Sequence, residues 1–306
     1  LSWWALPLGQ LHFSRLTLDS PALQITRMRE GQWRIGGMIL ADQPGNGGNS
    51  FLNWLLDQGS LIITRGVLDL QDEQAAGPRL TLTHLNVHAS NLFGRRVVRF
   101  SVLPPQDIGP EIRGDGVLTG HDILRLADWK GRVQFDFPSV NLARLNQYLS
   151  AYVPDTFTRL PVLREGVGRL ALTVNFADAH IRQLDAELGM DNLLLEQQSQ
   201  RFALPKVDAS VQWSAQRGNE QLLIRARHIE GASGLLTRNG RFEYSLTGMK
   251  HALRLQGFNL GGLSAYAAWL PGQWAARLAN ASLAGDVVDL CHRAVGIVFA
   301  LDGEYR

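Results

Sequence analysis

Apolar and polar residues alternate with a period of two along much of this chain, and three times the alternation restarts after the same dipeptide. Gly131-Arg132 leads into Val133, Phe135 and Phe137. Gly168-Arg169 leads into Leu170, Leu172, Val174 and Phe176, and Gly240-Arg241 into Phe242, Tyr244 and Leu246. A period of two places each apolar set on one face of a β-strand and the intervening polar residues on the other. Further strand-like runs lie at 11–13, 16–18, 23–25, 33–35, 61–63, 67–70, 80–82, 85–87 and 97–102, then at 184–188, 207–213, 222–226 and 253–255. Gly, Asn and Pro separate them, and starts spaced by about ten residues suit antiparallel meanders. The pattern predicts a mainly β chain of repeated strand units with a few short helices. A one-sided apolar sheet with no reaction centre nearby points to the surface itself as the functional part.

Helical spacing is rare. Ser50 precedes an amphipathic stretch at 51–58 with Leu52, Leu55 and Leu56 as its apolar stripe, and a second short helix is predicted at 121–127. Asn141-Leu142, Leu145 and Tyr148 recur as Asn259-Leu260, Leu263 and Tyr266, and Val153-Pro154 is answered by Leu270-Pro271. Both copies read as Asn-capped helices closed by Pro, each following alternating strands, so a unit of several strands and one helix repeats. The turn-rich stretch at 43–49 is the clearest linker. The organisation expected is an N-terminal strand module at 1–42, a linker at 43–50, a strand-rich module at 51–154 ending in a helix, and a second strand-rich repeat at 155–306 with its helix at 259–270.

Composition narrows the function. At 306 residues, 45% apolar and 19% charged, the chain can fold as two modules or one elongated body. The net charge is +2 and no Lys/Arg run is present, which argues against nucleic-acid binding. The single Cys291 excludes an internal disulfide. No stretch reaches the roughly 18 apolar residues of a membrane-spanning helix. The start at Leu1 and the stop just after a strand-like run at 295–301 lead us to expect a fragment of a longer protein.

Candidate reaction chemistry is sparse. His84 and His88 fall on a strand pattern, where four residues span about 13 Å, too wide for one ion. His12, His121, His180, His228, His251 and His292 have no Cys, Asp or Glu at ligand spacing. Gly45, Gly47 and Gly48 precede a helix but no Lys-Ser/Thr follows, so a linker is preferred to a phosphate loop. Asp69, Asp72 and Glu73 are carboxylates close in sequence, and the latter two read as solvated residues of a turn. There is no Gly-x-Ser-x-Gly. We expect no enzyme and no metal, nucleotide or redox cofactor. The tryptophans at 33, 54, 129, 213, 269 and 274 are spread out and read as anchors, not as a sugar-stacking ladder.

Several short motifs occur in a telling order. Asn53-Trp54-Leu55-Leu56 with Gln58 is followed by Val67-Leu68-Asp69-Leu70, then by Pro78-Arg79-Leu80-Thr81-Leu82, Leu85-Asn86-Val87 and Asn91. Pro104-Pro105, Ile108-Gly109, Trp129-Lys130-Gly131 and Val140-Asn141-Leu142 come next. With Asp19-Ser20-Pro21-Ala22-Leu23, Glu30-Gly31-Gln32-Trp33 and Gly36-Gly37 before them, these resemble the central region of the YhdP-type, AsmA-like proteins of Gram-negative envelopes. The resemblance implies an elongated, curved antiparallel β-sheet with a hydrophobic groove. It further implies a periplasmic body held to the inner membrane by an N-terminal helix outside this chain, moving phospholipid toward the outer membrane. It carries no catalytic residues.

Physical chemistry is compatible with that implication. Exposing an acyl chain of about 16 carbons to water costs on the order of 12 kcal/mol, and apolar faces aligned strand after strand would offset this without a fixed site. The lining would come from Val133, Phe135, Phe137, Leu170, Leu172, Val174, Phe176, Leu184, Leu188, Val207, Val211, Leu222, Ile224, Phe242, Tyr244, Leu246, Leu253 and Leu255. Phospholipid acyl chains are the expected partner, with both membranes reached through regions outside this chain. The alternative is a structural or adhesive β-sandwich with no lipid cargo, in which the same residues are buried core. Alternation does not separate the two, but burial does.

Overall fold

The computed structural model describes residues 13–30, 32–40, 54, 58–73, 78–92, 94–120, 128–149, 162–178, 180–197, 200–216, 219–232, 234–248, 250–259, 286–287, 289–295 and 298–304. They form two compact units. The first comprises Leu1–Val140, Arg144–Pro154 and Thr173–Ile181, and the second Asn141–Ala143, Asp155–Leu172 and Arg182–Arg306. Strand dominates both. Among the described residues one complete helix occurs, α1 (Leu142–Leu149), and it follows Asn141 as the helical spacing predicts. The linker at 43–49 and the helix expected at 121–127 lie outside the described residues, as does the helix expected at 259–270 apart from Asn259, which ends a strand. Of the stretch at 51–58 only Trp54, which is helical, and Gln58 are described.

In the first unit, β1 (Leu16–Asp19) and β2 (Ala22–Arg27) run in series along one edge of β5 (Ser60–Asp72). Both pair with it in parallel, an exception to the antiparallel pattern. β3 (Trp33–Ile35) and β4 (Met38–Leu40) continue from β2 as a meander. From the other edge of β5 an antiparallel meander runs through β6 (Leu80–Leu92), β7 (Arg95–Leu103), β8 (Ile112–Thr119) and β9 (Lys130–Asn141).

In the second unit the first part of β10 (Val162–Ala177) lies beside β11 (His180–Gln197). The meander continues through β12 (Gln200–Gln216), β13 (Asn219–Gly231), β14 (Gly234–Thr247) and β15 (Lys250–Asn259). Beyond β15 come β16 (Asp286–Val287), β17 (Asp289–Val295) and β18 (Val298–Glu304), with β16 and β17 both paired to β15.

Strands are longer than the sequence pattern suggested, because residues that look like strand ends sit inside them as bulges. The runs at 61–63 and 67–70 are both parts of β5, and those at 80–82 and 85–87 are both parts of β6. The joints are Arg65 (φ 54°) and His84 (φ 50°), with Ser20 (φ 53°) between β1 and β2 on the neighbouring edge. A bulge adds an unpaired residue, bends the strand and increases its twist, so these three mark one line of bending across neighbouring strands. Side chains support that line. Asn86 accepts from the Arg65 amide at 3.1 Å through Oδ1 and donates to the His84 carbonyl at 3.0 Å through Nδ2. Asp19 accepts from Thr64 Oγ1 at 2.8 Å and from Arg65 Nη2 at 2.5 Å.

The second unit repeats the device. Register shifts occur at Asp208/Ala209, Ile229/Glu230 and between Thr237 and Arg241, and Asn192 (φ 54°) and Asn239 (φ 63°) adopt the left-handed conformation inside strands. Pro205, which has no N–H for the ladder, falls opposite Asn192 in a gap in the pairing. Around this seam the core is closed: Met190, Val207, Ala209, Ala226, Leu236, Thr237 and Phe258 are buried. One expectation is overturned here. Asp72 is not a solvated turn residue but the buried last residue of β5, 3.5 Å from Arg27.

Candidate functional site

Residues directly opposite each other in a ladder share a face of the sheet. In the second unit Leu184, Trp213, Leu222, Tyr244 and Leu253 form one row across β11–β15, and Ala186, Val211, Ile224, Phe242 and Leu255 form the next. A third row of Leu188, Ala209, Ala226 and Gly240 lies toward the seam. Leu246 is on the same face, opposite Glu220. Four gaps between five strands make the band about 19 Å wide. The β10 residues Leu170 and Leu172 alternate with Gly168, whose missing side chain would point at the Met190 sulfur, which puts them on this face as well.

The first unit has its own apolar face. Leu18, Ile63, Val87, Phe100, Gly114 and Phe135 make one row, and Leu16, Leu61, Ala89, Val98, Gly116 and Val133 the next. Phe135 packs edge-on to Phe100 at 5.7 Å and stacks with Phe137 at 6.4 Å. The sequence reading missed the contribution of β1 and β5–β7 to this face; in β5 and β6 the bulges at Arg65 and His84 shift the alternation out of phase. Val174 and Phe176 belong to the part of β10 assigned to this unit, and both are half-buried.

The burial of these residues is the informative quantity. Every described lining candidate except Val207 is half-buried. Val207 is 5% exposed and belongs to the seam. Leu253 is placed by its register alone. A sandwich core would hide these side chains behind a second sheet, whereas here rows of large apolar residues keep part of their surface accessible.

The three Gly-Arg pairs acquire a physical reason from the same geometry. A Cβ on Gly131 would lie 2.5 Å from the Val117 carbonyl oxygen. On Gly168 it would lie 2.1 Å from the Gly189 carbonyl oxygen, and on Gly240 2.8 Å from the Phe258 ring. Each glycine admits a close approach on the apolar face where a strand crosses a crowded point. Each arginine then points to the opposite face.

That opposite face is polar and paired. Arg227 meets Asp208 at 2.6 Å, Arg225 donates to Gln212 at 2.9 Å, and Arg164 and Arg201 both reach Glu196, at 3.1 and 3.4 Å. The Arg164 and Arg201 guanidiniums hold the Glu196 carboxyl below its usual range. Its counterparts in the first unit, Asp19 beside Arg65 and Glu111 beside Arg113, are lowered in the same way.

Among the described residues no three His, Cys, Asp or Glu side chains converge as metal ligands. His84 and His88 are exposed positions of β6. Asp69 is held by Arg79 at 2.8 Å and Thr81 at 2.5 Å, and Glu73 lies 3.6 Å from Arg34. Among the described residues no helix is long and apolar enough to cross a membrane.

A family model described as YhdP protein matches residues 1–296. The chain belongs to the YhdP family. No curated protein and no solved structure matches it. The motif residues that carry the YhdP resemblance prove to be residues that hold the fold. Gln58 accepts from the Phe13 amide at 2.7 Å and donates to the Trp54 carbonyl, while Trp54 packs edge-on to Phe13 at 5.9 Å. Asp19 and Asn86 fix the bend of the first unit, Ile108 is buried beneath the Pro104-Pro105 turn, and Gly131 admits a close approach. In this YhdP chain most of these motif residues hold the strands together, and Val87 of the Leu85-Asn86-Val87 motif lies in an apolar row of the first unit.

Proposed function

We propose that this chain is part of a lipid-conducting groove protein of the periplasm, carrying phospholipid between the inner and outer membranes and so maintaining the envelope barrier. Acyl chains lie along the apolar rows, and the Arg/Asp/Glu ladders of the other face stay in water. The observation that carries the reading is the incomplete burial of Leu184, Val211, Leu222, Ile224, Phe242 and Leu255 in unbroken rows. Such a band is costly to leave in water, at about 25 cal/mol per Å² of apolar surface. A mobile apolar occupant removes that cost without freezing into one pose, because hydrophobic contact is non-directional. Family membership supports the envelope location. No catalytic step is required of the chain. Any membrane anchor, and the segments that touch the two membranes, would belong to other parts of the protein.

Face-resolved photocrosslinking in cells tests this. A photoreactive side chain at Leu184, Ile224 or Phe242 should capture phospholipid, and one at Glu187, Arg225 or Glu243 should not. Equal capture on the two faces, or none on either, would contradict conduction along the apolar face.

A further inference from the structure

Along one edge the apolar face of the second unit turns polar. Glu220 lies on it, paired with Leu246 and with Ala215, next to the end of the β12–β13 ladder at Gln216 and Asn219. Trp213 and Tyr244 flank Leu222 in the adjacent row, so both are diagonal neighbours of Glu220. The Trp213 indole Nε1 donates to Glu220 Oε1 at 2.7 Å. Burial pushes the Tyr244 phenol up, and the charge of the Glu220 carboxylate adds to the effect. Among the described residues no Lys, Arg or His forms an ion pair with Glu220. By alternation from Leu184, Arg182 lies on the same face, one position before the Gln183–Ser214 pair. This edge of the face therefore bears a cation and, two strands away, an anion, with His251 opposite Leu246 in the same row. The row of Leu184, Trp213, Leu222, Tyr244 and Leu253 beside it is apolar or aromatic across β11–β15.

A carboxylate between an indole and a phenol suits a small organic cation. The aromatic faces attract positive charge, and the carboxylate supplies a charge-assisted hydrogen bond to an N–H donor. Indole hydrogen bonding alone would need only a neutral acceptor, yet the position carries a carboxylate beside apolar rows, where even partial burial of a charge costs free energy. We propose that Trp213, Glu220 and Tyr244 form a headgroup subsite at the rim of the apolar band that takes a primary ammonium, so that the preferred lipid is a zwitterionic aminophospholipid. Arg182 is placed to accompany the phosphate of the same head, and the tails lie along the rows of Leu222 and Ile224. The inference rests on the groove reading and specifies its cargo.

The test uses the full-length protein with a photoreactive side chain at Ile224, exposed to vesicles of equal phosphatidylethanolamine and phosphatidylglycerol. Captured lipid is identified by mass spectrometry. The ethanolamine lipid should exceed the glycerol lipid about fourfold. Glu220→Gln keeps an acceptor for the Trp213 indole and removes the charge, and it should bring the ratio to about one with total capture unchanged. Glu187→Gln, on the polar face, should leave the ratio at its original value. Equal capture of the two lipids by the unsubstituted protein, or a ratio unmoved by Glu220→Gln, would each overturn the subsite. Absence of both lipids from Ile224 is a different result, and it would defeat the groove reading as well.

Discussion

At the scale of single residues, two facing glycines show how local space decides tolerance. A methyl group on Gly168 would meet the Gly189 carbonyl oxygen at 2.1 Å and the Met190 α-carbon at 2.8 Å, whereas a methyl group on Gly189 meets nothing within 4 Å. Backbone atoms cannot swing aside as a flexible side chain can. Gly168→Ala should therefore cost about 1–3 kcal/mol in urea unfolding, and Gly189→Ala should stay within about 0.5 kcal/mol. Equal effects would mean that the close approach between β10 and β11 is misplaced. The Gly-Arg repeat was legible in the sequence, but its cause was not, because the atoms that crowd each glycine come from neighbouring strands. The burial of Asp72 was hidden for the same reason: Arg27, its partner, comes from a strand 45 positions away in the sequence.

At the scale of elements, bulges decide where strands bend. Asn86 bridges the irregular points of β5 and β6 through the Arg65 amide, the His84 carbonyl and Ser101 Oγ at 3.3 Å. Asn86→Ala should lower stability by about 1 kcal/mol and should speed amide exchange at Arg65 more than at Ile62. Acid should act on the same devices. Asp19, Glu111 and Glu196 have folded-state pKa values lowered by their arginine partners. Their contribution is complete above the ordinary carboxylate range and disappears as pH falls through the lowered folded values. Stability should be flat above that range and fall below it, and Asp19→Asn should make the fall shallower. A stability that rises on acidification would contradict these pairings. Strand existence was readable because period two survives wherever one face is apolar. Strand ends were not, since Arg65-Gly66, His84, Asn192 and Asn239 carry turn chemistry inside strands. The bulges also broke the alternation of β5 and β6, which concealed their share of the apolar face.

At the scale of the whole molecule, both units repeat one construction: an antiparallel meander, a line of bulges, a closed core or bend at that line and an apolar face beside it. The difference between a groove and a closed sandwich is one of burial, so it can be tested by placing a charge on the face. Ile224 is half-buried at the middle of its row, between Val211 and Phe242, and Arg225 beside it faces the polar side. The most direct measurement is thermal unfolding of Ile224→Asp, with phospholipid capture at Phe242 recorded on the same protein and Arg225→Asp as control. Conduction along an accessible face predicts a midpoint lowered by no more than about 5 °C, because the new carboxylate reaches water, together with loss of lipid capture that Arg225→Asp does not share. An Ile224→Asp protein destabilised by several kcal/mol, as an unpaired charge in a closed core would be, with no lipid captured at Phe242 in the unsubstituted chain, would contradict it.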